Sequence, residues 1–136
     1  MVHDTKIAIV IRYDLATWQK LNVAAYMASA IAAGRDGVIG LPYEDADGAG
    51  YLAMFGQPVL VFSATGPELA TVRQRAAERG VPIAITTEEL FATGDDESNR
   101  AVVRAVPTEK LALVGIGVHA RRSTIDKILK GLRLHP

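Results

Sequence analysis

The chain of 136 residues has no cysteine and a single tryptophan, aromatic side chains make up only 6% of it, and its 15 basic residues are matched by 15 acidic ones. Without cysteine there are no disulfides and no thiolate metal sites, which fits a reducing cytosol. The zero balance argues against broad nucleic-acid binding, whose usual mark is an excess of Lys and Arg. Long hydrophobic runs are also missing. The longest nearly apolar stretch, Leu21 to Ala33, is interrupted by Asn22 and Ser29. It falls short of the ~20 residues that cross a bilayer, so no membrane association is expected. Asp4 stands where a charged-then-apolar leader would begin, so no export signal is expected and the location is read as cytoplasmic. A length of this order suits one domain over residues 1–136, able to bury roughly two-thirds of its unfolded surface.

Strong catalytic signatures are absent too: no P-loop, no Gly-x-Gly-x-x-Gly after a strand, no Gly-x-Ser-x-Gly and no His-Glu-x-x-His. His3, His119 and His135 are far apart in sequence, so neither a metal site nor a cofactor is expected.

What the chain does have is pattern. Charge is uneven: Glu88, Glu89, Asp95, Asp96 and Glu97 form an acidic run, whereas Arg121, Arg122, Lys127, Lys130 and Arg133 face only Asp126 in the tail. Four continuous apolar runs, Lys6–Ile11, Pro58–Phe62, Val81–Ile85 and Leu111–Ile116, read as strands covered on both faces. Helical segments between them point to an α/β domain with three layers, α/β/α. Gly115-Ile-Gly117 lies within the last run and marks a close backbone approach.

The helix after Thr65-Gly66-Pro67-Glu68 is the best punctuated. It should bury Leu69, Val72 and Ala76 and close at Gly80. A turn at Glu88–Phe91, a helix from Asp95 or Asp96 to before Pro107, and a last helix over Ser123–Lys130 burying Ile125, Ile128 and Leu129 complete the set. Residues 34–57, rich in glycine and acids, read as a long excursion with little regular structure. The first helix, Gln19 to Ala33, is apolar nearly all round. It should bury more than one face, against the sheet and then against a second helix or a partner subunit, which predicts a homodimer.

Two polar segments stand at expected strand ends, where α/β sheets place ligands. The turn after the first strand offers Arg12, Asp14, Trp18, Lys20 and Asn22, with Tyr26 a turn further on. The segment 86–100 offers Thr87, Glu88, Thr93 and Asn99 to orient a small polar ligand. Simpler duties also suit these residues: Arg12 pairing with Asp14 to order the turn, and Thr87 and Asp95 capping.

At these segments the chain resembles a known family. Thr5-Lys-Ile-Ala-Ile-Val-Ile-Arg-Tyr-Asp-Leu-Ala-Thr-Trp-Gln-Lys-Leu-Asn22, Glu88-Glu-Leu-Phe-Ala-Thr-Gly94 with Ser98-Asn-Arg100, and Asp126-Lys-Ile-Leu-Lys-Gly131 look like a bacterial domain of unknown function, number two thousand. That family is similar in fold to the archaeal and eukaryotic, type II, peptidyl-tRNA hydrolases. The resemblance implies a mixed sheet of about four strands. Arg12-Tyr-Asp-Leu15 matches the hydrolase signature, but the hydrolase's lysine, glutamine and histidine fall on Asn22, Tyr26 and Ser29, and no aspartate stands at Thr86-Thr-Glu-Glu89.

The reading that follows is a cytosolic domain that binds, or also processes, a small polar ligand in a cleft of residues 12–22 and 86–100. Arg12 or Lys20 would meet an anionic group, Asn22 and Thr93 orient it, and Trp18 and Tyr26 form an apolar wall. Glu88 would serve as acid or base. One alternative is a divergent hydrolase of peptidyl or aminoacyl conjugates rebuilt around Lys20, Asn22 and Glu88. Another is an oligomerising adaptor that uses the alanine-rich helix and basic tail.

Overall fold

The computed structural model describes residues 3–136. In chain order run β1 (Thr5–Arg12), α1 (Thr17–Gly34), β2 (Tyr43–Glu44), β3 (Gly50–Tyr51), β4 (Val59–Ala64), α2 (Gly66–Glu78) and β5 (Ile83–Thr87). A 3-10 turn at Glu88–Ala92 leads into α3 (Asp96–Arg104), and another at Thr108–Lys110 leads into β6 (Leu113–Arg121), α4 (Arg122–Ile128) and β7 (Arg133–Leu134).

The apolar runs pair into one mixed sheet in the order β5-β6-β1-β4-β7. Strands β1 and β4 are parallel, and the other pairs are antiparallel. The sheet therefore has five strands rather than about four. The extra strand, β7, is two residues long, too short to show a period of two in sequence.

Alternation along β1 sends Ile7, Ile9 and Ile11 to one face, where they pack with Val23, Met27 and Ile31 of α1. Ala8 and Val10 face the other way, toward Leu69, Val72 and Ala76 of α2 and Ile125 and Ile128 of α4. Helices thus cover both faces, as expected of strands apolar throughout. The α2 start is fixed by a reciprocal capping box: Thr65 Oγ1 accepts from the Glu68 N–H at 3.2 Å, and Glu68 Oε1 accepts from the Thr65 N–H at 2.9 Å. Such a cap contributes about 1 kcal/mol.

Gly115 and Gly117 let α1 lie directly on β6. A Cβ on Gly115 would fall 2.3 Å from Val23 Cγ1, and one on Gly117 would fall 3.0 Å from Met27 Cβ. The close approach read from these glycines is therefore a helix–strand contact.

Within one chain α1 buries a single face, through Val23, Met27 and Ile31, while Leu21 is 67% exposed. Among the described residues its broad contacts are with β1, β5 and β6. Residues 34–57 hold little regular structure, as the sequence leads one to expect, and what there is consists of short pieces. Strands β2 and β3 form an antiparallel ribbon, and Ile39 bridges Phe55. Asp45 organises the turn: its carboxylate accepts from the Tyr51 hydroxyl at 2.7 Å and from the N–H groups of Asp47 and Ala49. Gly48 takes the left-handed φ of 84° that the turn requires. Among the described residues no helix is long and apolar enough to cross a membrane.

Candidate functional site

The strand β5 ends in two threonines, and its register on β6 is irregular between them. Thr86 is 3% exposed and lines a groove between α1 and the 3-10 turn with α3. Thr87 is buried outside that groove, and its hydroxyl has no hydrogen-bond partner among the described residues. The groove is a cavity of about 810 Å³, within the usual size of a small-molecule site.

Helical spacing decides which residues of α1 reach it. Trp18, Asn22, Tyr26 and Ser29 recur at intervals of four, four and three, so one stripe of α1 forms a wall. The opposite wall carries Leu90, Phe91, Thr93 and Gly94 from the 3-10 turn and its exit, and Asn99, Arg100, Val103 and Arg104 from α3. At one end Trp18 and Phe91 meet edge to face, the favoured geometry for aromatic pairs.

The polar groups are arranged by their neighbours. Asn22 Nδ2 donates to the Trp18 carbonyl at 2.8 Å, which leaves Oδ1 as a free acceptor. The Thr93 hydroxyl lies against the Leu90 carbonyl at 3.0 Å and against Asn99 Oδ1. Asp95 caps α3, its carboxylate accepting from the Ser98 N–H at 2.8 Å and the Ser98 hydroxyl at 2.9 Å. Those Ser98 bonds hold the Asp95 pKa below its ordinary value. Asp96 pairs with Arg100 one turn on, so the rim carries both signs of charge.

Of the residues singled out from sequence, Trp18, Asn22, Tyr26, Thr93 and Asn99 come together on this groove. The others lie elsewhere. Arg12 ties the two polar segments together outside the groove, its Nε 2.7 Å from Asp14 Oδ1 and its Nη1 2.6 Å from Glu88 Oε1. Burial opposes the Arg12 charge, but the bonds to Glu88 and Asp14 outweigh it and raise the pKa. Lys20 sits two residues from Trp18, hence on another side of α1, and its Nζ lies 3.2 Å from His135 Nε2. Thr87 is buried outside the groove, as described above.

Sequence reading placed the 86–100 segment at the cleft without singling out Thr86, Phe91 or Arg100 within it, and it missed Arg104, which lies beyond that segment. The α3 residues carried a usable signal, since Asp96, Arg100 and Arg104 are spaced by four and share one helix face. Among the described residues no group of His, Asp and Glu is arranged to hold a metal ion.

No curated protein matches the chain. A solved structure from Agrobacterium tumefaciens strain C58, titled as that of the protein of unknown function Atu0240, is similar at 41% identity and a TM-score of 0.96. The match covers 99% of this chain and 100% of that one. Residues 5–136 match the family described as "Protein of unknown function (DUF2000)", and the chain therefore belongs to that family.

Proposed function

We propose that this protein is a cytosolic binder of a small molecule with a flat apolar part and a polar head, held in the groove between α1 and the 86–104 segment. One observation carries this reading: Trp18, Tyr26 and Phe91 share a cavity of about 810 Å³ with Asn22, Thr86, Thr93 and Asn99. Aromatic walls with a few oriented polar groups are the usual make-up of small-molecule sites. The ligand's ring stacks beside Trp18 and Tyr26, and its head meets the Asn22 Oδ1 acceptor and the Thr93–Asn99 pair.

The likeness to type II peptidyl-tRNA hydrolases supports the location and not the reaction. The three positions where that resemblance sets the hydrolase's lysine, glutamine and histidine, Asn22, Tyr26 and Ser29, all line this groove. Their side chains offer amide, phenol and hydroxyl groups in place of a base. The ionisable candidates for a rebuilt hydrolase are engaged elsewhere, Lys20 with His135 and Glu88 with Arg12. Binding without turnover is the reading adopted.

The only tryptophan of the chain, Trp18, stands on the groove wall and reports occupancy directly. A metabolite set is screened by thermal shift, where a ligand at 100 times its Kd adds about 2.7 kcal/mol. Hits are then titrated on Trp18 emission. Asn22→Ala and Asn99→Ala should weaken a true ligand by about tenfold each, the value of one or two hydrogen bonds. Hits that leave Trp18 emission unchanged, or that ignore both substitutions, would overturn the reading.

Homodimerisation is proposed on a separate observation, the exposure of Leu41 (84%) and Leu52 (89%) on the β2–β3 excursion. Large apolar side chains clustered at the surface favour a second copy as cover. Sedimentation at tens of micromolar tests it, and a clean monomer would reject it.

A further inference from the structure

A second depression, of about 570 Å³, lies at the opposite ends of β5 and β6 from the groove. It is lined by Arg35 after α1, Arg79 after α2, His119 and Arg121 of β6, and Lys127 of α4. No carboxylate lines it, and none of its Arg or Lys residues forms an ion pair among the described residues. In a chain of zero net charge, four unpaired cations around one depression are a strong local excess. Arg35 and Arg79 follow the C-termini of α1 and α2, where the helix dipole favours a cation. Arg121 ends a strand and has no such reason to be there.

Two of the three arginine forks, those of Arg35 and Arg79, are held in place. The hydroxyl of Thr5 donates to Gln57 Oε1 at 3.2 Å, so its oxygen accepts the proton of His119 Nε2 at 3.0 Å. That leaves His119 Nδ1 as the acceptor for Arg35 Nε, at 3.3 Å. His119 is 93% buried by its 7% exposure. Burial first, and then the Arg35 charge, hold its pKa below the ordinary value, so it stays a neutral acceptor. With Nε engaged, the Arg35 Nη groups remain free. Arg79 Nη1 likewise donates to the Arg75 carbonyl at 3.0 Å. Planar donors fixed in advance suit an oxyanion with several acceptor oxygens.

We propose that this depression binds a phosphate group, with Arg35, Arg79, Arg121 and Lys127 as its ligands and His119 as the residue that positions Arg35. The groove proposed above is separate and its fate does not decide this one.

The test uses the intact protein with inorganic pyrophosphate, followed by calorimetry and by the His119 ring signals in NMR. Saturable binding that shifts His119 and weakens with added salt is expected. The pair Arg35→Gln with Arg121→Gln should lose at least about tenfold in affinity, since each removes charge-assisted bonds. Arg35→Lys keeps the charge but loses the fork, and should fall between. These side chains are exposed, so the variants are expected to fold, with circular dichroism as the check. Lys127→Gln alone serves should the pair fail to fold. Parallel titrations with inorganic phosphate and glycerol phosphate tell a free anion from an esterified one. Absence of saturable binding up to about 10 mM, a weak limit on the affinity scale, would overturn the proposal. So would binding that the substitutions leave unchanged.

Discussion

The indole of Trp18 meets the ring of Phe91 edge to face, with centroids 5.8 Å apart and planes at 71°. This contact ties the start of α1 to the 3-10 turn and closes one end of the groove. Phe91→Ala should cost more than about 1 kcal/mol, the value of an aromatic pair beyond its buried area, because the partly buried ring also packs on the core. Because Trp18 is already 56% exposed, the loss should come with a modest red shift of its emission. Urea unfolding followed by fluorescence reads both, and an unchanged spectrum would show the pair to be absent in solution.

Gly115 has no room for a side chain beneath Val23. Gly115→Ala should destabilise the protein by about 1–3 kcal/mol through overpacking. Adding Val23→Ala removes the obstructing methyl, so the double variant should be more stable than the sum of the single effects implies. Denaturant melts of the three variants check this, and strict additivity would contradict the contact.

The pKa of His119 is lowered on folding, by burial and then by Arg35. A histidine with a depressed folded pKa binds fewer protons in the native state than in the unfolded one, so its contribution to stability rises with pH. That stability is full above the unfolded value of about 6.5 and is lost as pH falls from there through the folded value. Unfolding free energy at pH 7.5 should exceed that at pH 5.5. Arg35→Gln should narrow the gap, and His119→Gln should remove this contribution. Equal slopes in all three proteins would refute the assignment.

The Asp45 pKa is lowered chiefly by the Tyr51 hydroxyl and then by the Ala49 amide. Tyr51→Phe should move the Asp45 titration upward, toward the ordinary carboxylate range, as seen by carboxyl carbon NMR. Both side chains are exposed, so global stability should hardly change. A titration that stays where it was would mean that the ribbon turn does not hold this bond.

Much of the fold was legible because its elements are locally marked. The α2 helix carries a capping box at one end, Gly80 at the other and Leu69, Val72 and Ala76 between them, and all three are buried. The glycines of β6 announced a close neighbour, but β6 ran on to Arg121, because a polar His119 can be buried in a strand once Thr5 and Arg35 satisfy its ring. The β2–β3 ribbon escaped notice since its strands are two residues each and its order comes from the single carboxylate of Asp45. In the groove the segments were legible and the faces were not. Lys20 lies two residues from both Trp18 and Asn22, off their stripe of the helix, and Thr87 follows Thr86 but stands outside the wall. Arg12 and Glu88 find each other instead of a ligand, and opposite charges that near in space leave no mark in a sequence of one chain.

The two-residue strand β7 has a consequence for the behaviour of the whole molecule. It pairs Arg133 and Leu134 with Ser63 and Phe62, and the His135 N–H donates to the Val61 carbonyl. These bonds occupy the outer rim of β4, a six-residue strand whose amides and carbonyls would otherwise stand open as a template for another chain. Pro136, without an N–H, cannot extend the ladder. The tail therefore acts as a guard against edge-to-edge association, and a chain cut after Leu132 is expected to aggregate through β4 even though its core is untouched.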